Sequence, residues 1–377
     1  MLNSNNQNYV CIFPGLMNYH LIKDVGLLPY TMGKYFSYNA HVLTYNNDDY
    51  EYLQEDLNGE YLRLIFLEKK HSTETRDVIS YLIKNSRNID VLQSFNLHNT
   101  LGLFSYFLIY KILNRKGKAY VKLDADDLMA SLLIKNKGIF GFMQKFMINY
   151  LIDCISVESC RLYDKLIETN TISADKLICV PNGISIEYKA INEKKNNILA
   201  VGQVGTIAKA TDILLEAFSK IDKLDDWKLI LIGSIEESFK EYIDKYFKSY
   251  PHLKDKIIFE GYLSDRDEIY KYYSESKIFC FPSRSESFGI ALIEAAYFGN
   301  YILSTDVGGA SDLLDKIDCG ELIEKDNSDL LAERLQELIL NWDKYKKDPD
   351  KLMARVDRSY NWTKLCKKIY DKLNFEE

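Results

Sequence analysis

Glu286 and Glu294 are separated by seven residues in the stretch FPSRSESFGIALIEA. Carboxylates accept hydrogen bonds from hydroxyl groups well. The free amides of a helix that starts between the two glutamates face the same loop, ready for a phosphate. A second basic-and-glycine constellation lies upstream, in VGQVGTIAKATD. Its glycine loop is a phosphate cradle in form, and Lys209 at the following helix start would set a mobile positive charge against a diphosphate. Asp124, Asp126 and Asp127 end the apolar run KAYVKL. A carboxylate there could bind a hydroxyl or take its proton; the plainer reading is solvated loop residues capping the next helix. His98 could line a ligand cleft or cap the helix beginning near Leu101, whereas His20 reads as a structural histidine.

The elements that must position these residues are legible as punctuated apolar runs. IFCF, closed by Pro282, reads as a buried parallel strand, the loop SRSES follows, and a helix is expected from Phe288 to Phe298. Gly299 ends that helix and YILS begins the next strand. Strand, loop, helix, strand is a βαβ unit, with its ligand site at the strand's carboxyl end. Upstream, YVCIF, AHVLTY, LRLIFL, DVL and CISVES give further strands. In IDVLQSFNLHNT the strand is expected to stop at Leu92, leaving Gln93 to Thr100 as loop. Residues 135–147 join Lys135, Lys137 and Lys145 to Ile139, Phe140, Phe142, Met143, Phe146 and Met147. That segment fits either an anionic membrane surface or a core helix with a lysine edge.

A chain of 377 residues suits two ordinary domains, and 47% hydrophobic with 27% charged residues supplies a sizeable core. The formal net charge of -7 argues against nucleic acid as the main partner. The start, MLNSNNQNYV, lacks the regions of a signal peptide, and the seven cysteines are scattered without a CxxC pattern. A cytoplasmic location is expected, with the inner membrane face as the place of any peripheral contact.

Residues 278–312, from IFCFPSRSES to VGGASD, resemble the donor-sugar site of the retaining glycosyltransferases of family 4. The resemblance implies the GT-B fold: two doubly wound, Rossmann-like α/β domains facing a central cleft. The expected bounds are an acceptor domain at 1–185, a donor domain at 186–355, and a helix at 356–377 that crosses back. PNG at residues 181–183 marks the exit from the first domain, and YKAINEKKNN is the linker. The implied reaction is retaining sugar transfer from a nucleotide-sugar to an acceptor hydroxyl in glycan or glycoconjugate assembly. Acceptors of this family are sugars and lipid-linked or protein-linked glycans.

By the same resemblance, Glu286 binds donor-sugar hydroxyls, the amides of Phe288, Gly289 and Ile290 meet sugar and phosphate, and Glu294 holds the ribose. Lys209 faces the diphosphate, Gly15 is the glycine of the first loop, and the base is read by backbone near Tyr262 and Leu263. Asp124 and His98 fall on the acceptor side, and Glu286, Asp124 and Lys209 are the expected catalytic set. Gln203 stands where the family has arginine, so another basic residue compensates or the leaving group is held more loosely. No cofactor and no metal are expected. Of the Asp-x-Asp pairs starting at Asp124, Asp265 and Asp348, only Asp124 with Asp126 lies where a metal would matter. Two other classes fit the same residues: a sugar phosphorylase or epimerase of this fold, and a catalytically silent partner subunit of a transferase.

Overall fold

In a computed structural model of the protein, which describes residues 7–55, 57, 59–97, 100–124, 127–135, 138–186 and 193–374, the chain forms two compact units. The first takes Met1–Gly183 together with Trp362–Glu377, and the second is Ile184–Asn361.

The first unit is built on seven strands: β1 (Asn8–Ile12), β2 (Asn39–Thr44), β3 (Leu62–Phe66), β4 (Val91–Phe95), β5 (Lys118–Leu123), β6 (Cys154–Val157) and β7 (Leu177–Cys179). Their order is β3-β2-β1-β4-β5-β6-β7, every neighbouring pair parallel. Side chains alternate along each strand, so β1 sends Tyr9 and Cys11 into one core and Val10 and Ile12 into another. Helices Asp24–Phe36 and Trp362–Asn374 supply the first core with Leu28, Leu365 and Ile369. Both faces are covered, which is why these strands read as unbroken apolar runs.

The second unit repeats the plan with β8 (Lys195–Val201), β9 (Lys228–Ile232), β10 (Ile257–Gly261), β11 (Ser276–Phe281), β12 (Tyr301–Thr305) and β13 (Gly320–Ile323). The order is β10-β9-β8-β11-β12-β13, all parallel. In each sheet the winding reverses once, between β1 and β4 and between β8 and β11, and ligands bind such sheets at that switch point. Two of the Asp-x-Asp pairs are helix starts. Asp265 accepts from Asp267 N at 2.9 Å, and Asp348 from Asp350 N at 3.1 Å, ahead of Pro349.

Two local expectations need correction. Gln93 is not in a loop: β4 runs to Phe95, and the buried Gln93 amide oxygen accepts from Tyr9 OH at 2.6 Å. A polar residue hid the strand because its partner lies 84 positions away. The helix expected from Phe288 begins at Ile290 (Ile290–Tyr297), because Gly289 takes a left-handed turn at φ 92° before it.

Candidate active site

β8 and β11 lie side by side at the switch point of the second sheet, so the loops after them meet. The loop after β8 is shaped by a backbone contact. Gly202 N donates to Ile232 O at 2.9 Å, and a Cβ on Gly233 would stand 2.0 Å from Gly202 O. Gly233 also holds φ 141°, open to glycine alone at little cost. The loop then delivers Lys209 to the edge of helix Thr211–Ser219.

The loop after β11 is fixed from three sides. Thr305 hydroxyl donates to Ser283 O, and Arg284 N donates to Ala208 O at 2.7 Å. The Arg284 guanidinium grips Asp212 at 2.7 and 3.0 Å and also pairs with Asp326. Arg284 therefore ties the two loops together and has its charge engaged by carboxylates. Phe288 closes the base of the loop. Its carbonyl accepts from Gly309 N at 2.9 Å, and a Cβ on Gly309 would stand 2.4 Å from its ring. The VGG turn is thus a seat for Phe288.

Between these loops Lys209 and Glu286 form an ion pair, with Ser283 hydroxyl donating to Glu286 at 3.2 Å. The ammonium also lies 5.0 Å from the centre of the Phe281 ring. Both side chains keep some exposure, 27% and 14%. The adjoining cavity, lined by Gly202, Lys209, Phe281 and Ser283, holds about 20 Å³. That is space for one water. For Lys209 to meet a phosphate while Glu286 meets a sugar, the pair must separate.

Glu294 is buried in helix Ile290–Tyr297. One oxygen pairs with Arg266, and the other accepts from Tyr273 OH at 3.1 Å. Each oxygen keeps a second lone pair. Arg266 itself lies 4.8 Å from the centre of the Tyr270 ring and donates to Tyr270 OH at 2.8 Å. Sequence reasoning missed Arg266: it opens helix Arg266–Glu275 and reads as an ordinary surface arginine.

The other expected residues are scattered. Gln203 is exposed and its amide is turned to Glu236. Tyr262 is 70% exposed after β10, and Leu263 packs against the core. In the first unit Gly15 lies in the turn after β1 with open space where a Cβ would be. Asp124 follows β5, with one oxygen sealed from solvent and unpartnered among the described residues. His98, Asp126 and Lys137 lie outside the described residues.

Residues 184–351 match the family described as "Glycosyl transferases group 1". Over 344 residues the chain is 26% identical to an uncharacterized glycosyltransferase of Methanocaldococcus jannaschii, MJ1178, covering 89% of this chain and 90% of that protein. It is 27% identical over 217 residues to the capsular polysaccharide biosynthesis glycosyltransferase CapM of Staphylococcus aureus. That match takes in 53% of this chain and 56% of CapM. Among solved structures, Anabaena Alr3699/HepE in complex with UDP aligns at TM-score 0.72 and 14% identity, over 97% of this chain and 99% of its own. A glycosyltransferase from Rickettsia africae aligns at TM-score 0.74 and 16% identity, over 99% and 100%. The structural likeness carries the fold, and the sequence match falls on the unit that holds the paired loops. The match to the group 1 glycosyltransferases falls on the second unit, and the chain as a whole has the GT-B fold of these structures.

Proposed function

We propose that the chain is a retaining, metal-independent glycosyltransferase of family 4 that takes its sugar from a nucleotide-sugar. The observation that carries this reading is the meeting of Lys209 and Glu286 at the β8/β11 switch point. A donor would replace that ion pair. The diphosphate takes Lys209 and the amides at the start of helix Ile290–Tyr297, and Glu286, still held by Ser283, accepts from sugar hydroxyls. The bond between anomeric carbon and phosphate oxygen breaks, and the acceptor oxygen bonds to that carbon on the same face. The acceptor's proton goes to the departing phosphate oxygen, whose charge Lys209 and the amides stabilise. Glu294, already aligned by Arg266 and Tyr273, accepts from ribose hydroxyls through its remaining lone pairs. The complex of HepE with UDP and glucose favours such a donor, and CapM's role in capsular polysaccharide synthesis favours glycan assembly.

The first unit carries the acceptor side, with Asp124 as its hydroxyl-binding carboxylate. Its helix Gly138–Phe146 leaves Ile139, Phe140 and Phe142 at 72%, 53% and 69% exposure, beside exposed Lys135 and Lys145. We read this face as a contact with anionic lipid on the cytoplasmic side of a membrane, where a lipid-linked acceptor would be presented. No helix of the described residues is long and apolar enough to cross a membrane.

The test is paired. Glu286→Ala should lower transfer at least a hundredfold, because the sugar loses its orienting hydrogen bonds at the reacting geometry. Binding of the bare nucleoside diphosphate, read by calorimetry, should stay within about threefold, since about 0.65 kcal/mol separates such affinities. Collapse of nucleotide binding in this variant would give Glu286 a different role. Sugar release that requires inorganic phosphate, or donor turnover without any acceptor, would favour the phosphorylase or epimerase instead.

A further inference from the structure

The first unit holds a second lysine–carboxylate cluster, which the transfer chemistry above does not use. Lys122 on β5 is fully buried and pairs with Glu158, just past β6, and with Asp24 at 3.3 Å, at the start of helix Asp24–Phe36. Glu158 is 2% exposed, and the Asp24 side chain 13%. β5 and β6 run in register, Lys122 opposite Ser156 and Leu123 opposite Val157. Extending that register by one residue puts Asp124 level with Glu158, both on the side of the sheet that Lys122 faces by strand alternation. One oxygen of each, Glu158 Oε2 and Asp124 Oδ1, is sealed from solvent with no partner among the described residues.

Two carboxylates therefore pair with one buried ammonium, and Asp124 ends the same strand beside them. An uncompensated buried charge there would be costly. A proton on one of the carboxylates supplies the compensating positive charge.

We propose that Lys122 and Glu158 are positioning residues for Asp124: the buried Glu158 keeps the cluster's proton, and Asp124, at the strand end, is held to accept from the acceptor's hydroxyl. This rests on the reading of Asp124 as an acceptor-side group. The electrostatic surroundings of the buried groups agree with the geometry. Burial raises Glu158, Lys122 pulls it down, and Asp124 and then Asp24 raise it again, to about 8. Burial lowers Lys122, but Glu158 and Asp24 outweigh it and hold the ammonium charged. The other titratable groups nearby are Tyr120 on β5, Cys11 on β1 and Cys366 on helix Trp362–Asn374. Burial keeps all three protonated.

Glu158→Gln copies the proton-carrying form, neutral and of the same shape. In infrared difference spectra of the ligand-free protein, a protonated-carboxyl band should titrate away near pH 8, and be absent from Glu158→Gln. In rates with UDP-glucose as the donor probe, the wild type should lose several-fold as pH rises through that range, while Glu158→Gln keeps its neutral-pH rate and loses the alkaline limb. A purely structural role would scale the rate equally at every pH. Asp124→Asn, transferring as well as wild type, would overturn the positioning role even with the band present, because it removes the acceptor-side reading alone. Absence of the band, or an alkaline limb unchanged in Glu158→Gln, would overturn the placement of the proton itself.

Discussion

Lys122 and Lys209 each meet a glutamate beyond the carboxyl end of a parallel strand, yet the two pairs are set in opposite ways. Lys122 sits in the strand itself, with no exposure, and its partners come from the next strand and a covering helix. Lys209 rides on a glycine loop, 27% exposed, with Glu286 on a facing loop. A buried pair loses the solvent that would accept either charge once separated, so it stays closed. A half-exposed pair on loops can exchange its partner for a ligand's charge at modest cost. One lysine in this protein locks a cluster, and the other keeps a contact that can be exchanged.

The same substitution at both sites breaks that comparison most directly. Lys122→Met should cost about 3–5 kcal/mol of unfolding free energy, since it strands the Asp24 carboxylate and takes from Glu158 its hydrogen-bond donor in the core. Urea denaturation is the measurement, and a loss under 1 kcal/mol would mean that the cluster is hydrated. Gly233→Ala comes next, at about 1–3 kcal/mol with weakened donor binding, because both φ and the contact with Gly202 O forbid a Cβ. An unchanged donor affinity would detach the glycine contact from the placement of Lys209.

Glu158 makes a prediction whose sign follows from linkage. Its folded value lies near 8 and its ordinary value near 4.5, so between these the folded chain holds a proton that the unfolded chain has released. Stability contributed by this group is complete below that window and is lost as pH rises through it, at up to about 1.4 kcal/mol per unit. Glu158→Gln should flatten that part of the stability profile. The smallest effect is expected from Lys209→Met: within about 1 kcal/mol in stability, with a donor KM raised roughly tenfold. A large stability loss there would mean that the Lys209–Glu286 pair is as locked as its counterpart.

The local features of the chain could be read without tertiary information. Apolar runs punctuated by glycine and proline gave the parallel strands, and the loop-to-helix placement of Glu286 and Glu294 followed from the strand before them and the helical pattern after. Lys209 was legible as the charge after a glycine loop. Gln93 was misjudged because a buried amide on a strand looks polar, and its partner Tyr9 is on another strand. Arg266 was missed because nothing within helix Arg266–Glu275 points to Glu294, 28 positions on. Glu158 drew no notice at all.

By itself, then, the sequence determined the parallel α/β class, the two-part plan and which residue types flank each loop, because periodicity, turn chemistry and apolar content act over a few neighbouring residues. Only the tertiary structure decided which charge meets which. Lys122 finds Glu158 across 36 positions and Lys209 finds Glu286 across 77, through strand order and register. Burial, which makes one pair a lock and the other an exchangeable contact, depends on what the rest of the chain packs over them. No local pattern records it.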